Sequence, residues 1–405
     1  MMRRNSIKSF TLVELLIVIA ILAVLAAAVV LVLNPAELIA QSRDTQRITD
    51  VNMVKKAVDL FILDNSTVSL GASQKIYISI SDTSATCANI TGLPVLPAGW
   101  SYSCVTAANL RNINGTGWIP LDFTQVKGGS PIPYLPIDPQ NDQTLTKYYQ
   151  YIPGTNTFEL TALMESEKQA KAAAKDGGID PGRLEVGSSV SLWKSASGIA
   201  AYWDFEEGSG TVLTDKSDSG NNGTWSGTGT YYSTGKVGGY AGSFISQNFA
   251  DIPDSSSLNS ANALSLVAWI KLVNASATGY VITKNTTGTA DIQYDILHYG
   301  TEKDLNMGLN NSAARCRSAT NVITDNNRWY HIATIFDGVK IYLYVDGQQV
   351  GLCNYVTPIT QTTHTVSLGR RKPNDVHLGG DIDEMMIYNR ALTAEEVQAI
   401  YNSGK

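Results

Sequence analysis

The sequence predicts an α+β part, in which a long N-terminal helix leads into a set of short strands, followed by an all-β two-sheet jelly roll. Three observations predict it. Residues 10–33 are 24 positions with a single charge, Glu14. Apolar residues then recur at three- and four-residue spacing to about Asn65, and short β-leaning runs follow them. From about Ile199 the pattern is β throughout, with Asp-Gly turns between alternating apolar runs.

The first run is long enough to matter physically. At a rise of about 1.5 Å per residue it spans roughly 36 Å, against a bilayer core of about 30 Å. Arg3, Arg4 and Lys8 precede it and favour a cytoplasmic start. It is too long for a cleaved secretory signal, and no clean small-x-small site follows it. Glu14 is the awkward residue, because a carboxylate inside a membrane helix costs roughly 2.5–3.5 kcal/mol and needs a partner.

The stretch Lys8-Ser9-Phe10-Thr11-Leu12-Val13-Glu14-Leu15-Leu16 resembles the signature of type IV pilins and type II secretion pseudopilins. In that signature a short basic leader precedes a phenylalanine, and a glutamate lies four residues on. The resemblance implies that prepilin peptidase removes residues 1–9 by cutting between Ser9 and Phe10, and that Phe10 is then N-methylated. It implies a transmembrane and filament-core helix over 10–33, held in the cytoplasmic (inner) membrane with its N-terminus inside, then in an extracellular filament with other pilin subunits. Glu14 then neutralises the amine of a neighbouring Phe10 during assembly, since two charges costly alone in lipid are tolerated as a pair. The family usually has glycine before the cut. Ser9 is small enough for processing and implies a slower one.

Composition bounds the remainder. The chain has 405 residues, so more than one domain is expected, and its 43% hydrophobic content is that of soluble globular parts. A net charge of −6, with no basic stretch beyond the leader, does not suggest nucleic-acid binding. The cysteines fall into two separated pairs, Cys87 with Cys104 and Cys316 with Cys353. Outside the cytoplasm two local disulfides are the natural reading, with four free buried thiols as the alternative. No Cys-x-x-Cys spacing supports zinc.

Residues 34–165 read as the pilin-like head. Pro35 is expected to kink or locally melt the helix. Ala40, Val51, Val54, Val58, Phe61 and Ile62 form its apolar stripe. In pilin-like proteins such a helix lies half on a small antiparallel sheet. Lys75–Ile80 reads as a strand, and residues 148–160 as a hairpin turning at Pro153-Gly154-Thr155-Asn156. Asp138, in the proline-rich loop before it, is either a turn aspartate or a calcium ligand. Residues 166–198 have linker composition: an alanine-rich charged run, Asp176-Gly177-Gly178, then Gly and Ser.

Residues 199–405 contain short strands and one closing helix, Thr393–Tyr401, started by a Thr393/Glu396 capping box. Five segments carry a second resemblance: 201–210 (Ala-Tyr-Trp-Asp-Phe-Glu-Glu-Gly-Ser-Gly), 215–224, Ser265–Ile270, Arg328–Ala333 and Gly380–Leu392. Together they are similar to the laminin-G-like, concanavalin A-like jelly-roll family. That family often binds calcium, frequently in a structural role, which points to Glu206, Asp215 and Asp383 as oxygen ligands. Asp215 as a turn cap and Asp383 as a strand-end acceptor are the competing readings. Glycosidases of this fold use paired carboxylates on one strand. Here only Asp381 and Asp383 share a face, and Glu384 is expected to point away, so no enzyme is predicted. Trp225, Tyr231, Tyr232 and Tyr299 are candidate sugar-stacking aromatics, while Trp203, Trp269 and Trp329 are expected in the core. The expected function is a pilin-like filament subunit displaying a lectin-like domain that attaches to carbohydrate or a surface glycoprotein. The alternatives are a structural subunit with a decorating domain and a secretion pseudopilin.

Overall fold

The computed structural model describes residues 11–65, 69–142, 147–285, 291–310, 314–372 and 376–405, without the side chains of 26–33 and 314. Ser9 and Phe10 lie outside these residues. Helix α1 (Leu12–Leu33) begins at Thr11, whose hydroxyl accepts from the Glu14 amide while the Glu14 carboxylate accepts from the Thr11 amide at 2.9 Å. Helix α2 (Pro35–Asp64) begins one residue after α1 ends. Asn34 between them sits in the left-handed region, and Pro35 occupies the first position of α2, where its missing N–H costs nothing. Pro35 therefore splits the helix in two. Among the described residues no helix is long and apolar enough to cross a membrane. The described side chains of α1 end at Leu25, part-way through the expected span.

Five strands form the head sheet: β1 (Lys75–Ser81), β2 (Ser101–Val105), β3 (Gln150–Pro153), β4 (Phe158–Leu163) and β5 (Arg183–Gly187), in the order β2-β1-β3-β4-β5. All neighbours are antiparallel except β1 and β2, which run parallel. The apolar stripe of α2, including Val51, Val54, Val58 and Phe61, packs into one core with Leu160, Ala162 and Trp118. Residues 166–198 are not a linker. They hold α3 (Glu167–Ala173), β5 and α4 (Leu192–Ala196), and β5 is the fifth strand of the head sheet. Gly and Ser are abundant there because the turns between these short elements are tight.

Two larger sheets form the jelly roll. The inner one runs Gln348–Asn354, Lys340–Val345, Trp329–Phe336, Leu264–Leu272, Gly380–Tyr388, Tyr240–Ser243, Tyr232–Thr234, with Ile199–Trp203 also paired to Gly380–Tyr388. The outer one runs Ala314–Arg317, Asp304–Leu309, Ile292–Tyr299, Gly279–Asn285, Val366–Leu368, Phe249–Ile252, Gly223–Ser226, Val212–Leu213. At one hairpin Asp346 and Gly347 both take positive φ, as a two-residue type I′ turn requires. Helix α5 (Ala394–Gly404) follows, started by the Thr393/Glu396 capping box.

Strand Leu264–Leu272 is buried on both faces. Leu266, Ala268 and Ile270 point into the sandwich with Ile332, Leu343 and Met385. Val267 points the other way, into a second core with Ala333, Ile335, Met386 and Tyr388 from the jelly roll and Ile76, Ile78, Tyr148 and Ile152 from the head. The head sheet thus stacks on the inner sheet, giving three sheets in series with α2 beneath them. Each fully buried aliphatic side chain contributes about 1.5–3 kcal/mol.

Charge locks this contact. Arg390 grips Glu396 bidentately at 2.8 and 3.0 Å and donates to the Ser197 carbonyl. Arg183 of β5 reaches Glu396 at 3.2 Å and Asp180 at 3.3 Å. All four side chains are buried. Burial opposes the Glu396 charge, but Arg390 and then Arg183 override it and draw its pKa down to about 2. At the foot of the head, buried Arg47 of α2 binds Asp44, Asp138 and Glu165. Asp138 also accepts from the Gln140 amide, so it is an ion-paired turn aspartate.

Both disulfides form as paired in the sequence, with Cα separations of 5.3 Å (Cys87–Cys104) and 5.7 Å (Cys316–Cys353). The second joins the edge strands of the two jelly-roll sheets across 37 residues. A loop of that size stabilises by roughly 3–4 kcal/mol through the unfolded state.

Glu396→Ala leaves the buried Arg390 guanidinium without its carboxylate and Arg183 with Asp180 alone, so it is expected to destabilise by roughly 3–5 kcal/mol. Urea unfolding followed by tryptophan fluorescence and by far-UV circular dichroism measures the loss. In the wild type the two probes are expected to trace one transition, because head and jelly roll share a core.

Candidate functional site

The carboxylates singled out in the sequence converge only in part. Strand Ile199–Trp203 delivers Tyr202 and then a turn, in which Phe205 takes φ 59°. That turn sends the Glu206 carboxylate back to the Gly239 and Tyr240 amides, each at 3.0 Å. Gly238 is required there: a Cβ would lie 2.3 Å from Glu206 Oε1, and its φ is 69°. Across from it, Asp383 accepts from the Lys236 and Val237 amides at 2.8 and 3.0 Å and from the Glu384 amide at 2.9 Å.

Glu384 does not point away. Trp269 pairs with Asp383 and Val267 with Met386, so two residues, Glu384 and Met385, face one on the partner strand. Glu384 takes φ 51° in this bulge. The extra residue re-aims its side chain to the face that carries Asp383. Its carboxylate accepts from the Tyr202 hydroxyl at 2.5 Å. Tyr202, Asp204, Glu206 and Glu384 then line a cavity of about 220 Å³, closed on the head side by Lys175 and Pro181.

Crowding these carboxylates shifts them. Burial pushes Glu384 up to about 8, and the neighbouring Asp383 charge adds to it. Burial pushes Asp383 up to about 7 against the pull of the Val237 and Lys236 amides, and Glu206 adds a further rise. Burial also raises Asp204, although Lys216 lies 3.5 Å away. The arrangement stores protons at neutral pH and can donate hydrogen bonds from carboxyl groups.

Asp215 does not join this group. Its carboxylate takes the Tyr202, Ser217 and Asn221 amides and the Ser217 hydroxyl, at 2.7–2.9 Å, as a turn cap. Glu206, Asp215 and Asp383 are thus not a ligand set. Among the described residues no three His, Cys, Asp or Glu side chains are arranged to hold a metal ion. Asp204 carries no signal of its own in the sequence, and the strand alternation that puts Glu384 on the opposite face hides the bulge. Asp381 pairs with Lys271 at 2.8 Å.

The histidines stand apart. His298 contacts the Ala275 carbonyl at 2.8 Å, and His364 meets Asp291 at 2.7 Å. His331 is wholly buried beside Trp269 and Tyr401, and burial alone lowers it to about 3. Of the candidate stacking aromatics, Trp225 is core and stacks on Tyr231 at 5.2 Å. Tyr299 is 40% exposed on the outer sheet, near Arg317. Glu14 lies on the exposed surface of α1, paired only with Thr11 among the described residues.

Comparison with known proteins follows this division. Residues 4–30 match the model of the prokaryotic N-terminal methylation motif, and residues 244–398 match that of the concanavalin A-like lectin/glucanases superfamily. The chain therefore carries the prokaryotic methylation motif at its N-terminus and a concanavalin A-like jelly roll. No curated protein matches it. Among solved structures it is similar to domain 4 of AbnA, a GH43 extracellular arabinanase from Geobacillus stearothermophilus, in complex with arabinotriose. Identity there is 22% and the TM-score 0.42, over 50% of this chain and 97% of that one. A heptameric SAP-like pentraxin from Limulus polyphemus matches at 20% identity and TM-score 0.30, over 35% and 70%. The binding domain of Paraclostridial Mosquitocidal Protein 1 matches at 14% and 0.41, over 51% and 52%.

The carboxyl shifts predict a pH dependence with a definite sign. Glu384 titrates near 8 in the fold and near 4.5 when unfolded. The folded state therefore binds more protons between these values, and its contribution to stability falls as pH rises through that window. Glu384→Gln removes the ionisation, so stability measured by urea unfolding should decline less between pH 6 and pH 8 than in the wild type.

Proposed function

We propose that this chain is a filament subunit of the type IV pilin class that displays its jelly roll as a lectin-like attachment domain for saccharides or surface glycoproteins. The observation that carries the reading is the methylation motif at 4–30 on a helix whose described apolar side chains, up to Leu25, are exposed among the described residues. Leu12 is 79% and Leu22 58% exposed. Such a surface requires lipid or neighbouring helices around it. The locked stack of three sheets supports rigid outward display of the jelly roll. The outer sheet supports a binding role: its outward face carries Tyr299, Arg317 and the Asp295–Arg315 pair at 2.8 Å, which suits stacking and hydrogen bonding to sugars. A binding role is favoured over a catalytic one, since Asp381 is neutralised by Lys271 and the acidic cavity is smaller than the roughly 300–1,000 Å³ of ordinary ligand pockets.

Mass spectrometry of purified filaments tests the first half. The mature N-terminus is expected at Phe10, methylated, and Glu14→Ala is expected to leave insertion and cleavage intact while abolishing incorporation. An unprocessed N-terminus in the filaments would sink the reading. Intact filaments applied to a glycan array test the second half, and silence of the array counts against attachment.

A further inference from the structure

A second junction cavity, of about 370 Å³, places the Lys147 ammonium among the carboxylates of Glu165 and Glu395 and the start of α5. The head supplies Gln140, Lys147 and Glu165, and the jelly roll supplies Gly347 and the first turn of α5. Lys147 is only 6% exposed, yet its ammonium has no hydrogen-bond or carboxylate partner among the described residues. Burial, with Arg47 nearby, holds its pKa down to about 8, which leaves it cationic at neutral pH. The Glu165 charge favours the ammonium, but its carboxylate is paired with Arg43 and Arg47 and makes no hydrogen bond to Lys147.

The start of α5 faces the same space. Its capping box uses the Thr393 and Glu396 amides. The amides of Ala394 and Glu395, the next two in the first turn, have no acceptor among the described residues. A helix of 11 residues presents partial positive charge at this end. A buried unpaired ammonium and two open helix amides therefore converge on one cavity, with the Gln140 and Gln398 carboxamides beside them.

We infer that this cavity is an oxyanion-binding site, and that it takes the carboxylate or sulfate of an acidic sugar residue. The oxyanion part stands on the geometry alone, and the sugar part rests on the attachment function proposed above. A planar or tetrahedral oxyanion accepts from the Lys147 ammonium on the head side and from the Ala394 and Glu395 amides on the α5 side. The cavity has room for about one sugar ring. The half-buried Glu395 carboxylate, at the second position of α5, competes with the ligand for the helix terminus.

Thermal melting of the full chain in neutral detergent tests the inference, with inorganic sulfate, galacturonate and neutral galactose as probes at constant ionic strength. Sulfate and galacturonate are expected to raise the melting temperature saturably, and galactose is not. Lys147→Met should weaken sulfate binding by at least about tenfold, the value of one charge-assisted hydrogen bond. Ala394→Pro should weaken it about three- to tenfold, since proline is accepted at the first helical position and removes one amide. Glu395→Gln should tighten it about two- to fivefold by removing the competing charge, and a gain cannot come from misfolding. No saturable sulfate effect in the wild type, or the same effect in all three variants, overturns the site. Stabilisation by sulfate without galacturonate overturns the acidic-sugar assignment alone. The glycan array decides attachment separately.

Discussion

The carboxylate of Glu396 is the constraint on which the rest of the molecule depends. It lies in a dry interface, bound by Arg390 of its own domain and by Arg183 of the head. Taking three charges out of water costs several kcal/mol each, so such a group is weak as a source of raw stability. Its value is geometric. An apolar sheet-on-sheet contact tolerates sliding, whereas a bidentate guanidinium pair satisfied at one registry does not. Glu396 also closes the capping box of α5, so the helix start, the last jelly-roll strand and β5 of the head are fixed by one side chain.

Under the proposed role as a filament subunit, that fixation has a mechanical meaning. Force entering through α1 passes to α2, and Arg47 ties α2 to the head through Asp138 and Glu165. The Glu165 carbonyl accepts from Asn402 at the end of α5, and Glu167 of α3 meets Lys405 at 3.2 Å. The jelly roll is thus coupled to α2 through polar contacts at the foot of the head. A flexible tether would let it swing. A rigid joint fixes where its outer sheet faces, which favours presentation and makes close packing of neighbouring subunits sterically demanding.

Much of this was legible in the sequence. Asp346-Gly347 announced its hairpin because a type I′ turn admits few residues, and Thr393/Glu396 announced α5 because capping chemistry is local. Cys87, Cys104, Cys316 and Cys353 paired as their positions suggested. The segment 166–198 was misread because turn-rich composition is shared by linkers and by short elements joined tightly. Arg183 and Glu185 there look like surface charges until the three sheets are stacked. Glu384 was misassigned for another reason: strand alternation cannot register an inserted residue, and nothing in the sequence around Asp383 marks the bulge.

Both junction cavities are lined by the head and the jelly roll together. One gathers carboxylates around Glu384, and the other leaves the Lys147 ammonium opposite the α5 terminus. A ligand that touches the head and α5 together binds the docked arrangement and not the separated one, so by linkage it must stabilise docking. The same linkage runs in reverse: whatever tightens the Arg183–Glu396 contact preorganises the Lys147 cavity. If the proposed filament role and junction site hold, tension couples occupancy of the junction to its stiffness, without any change of fold in either domain.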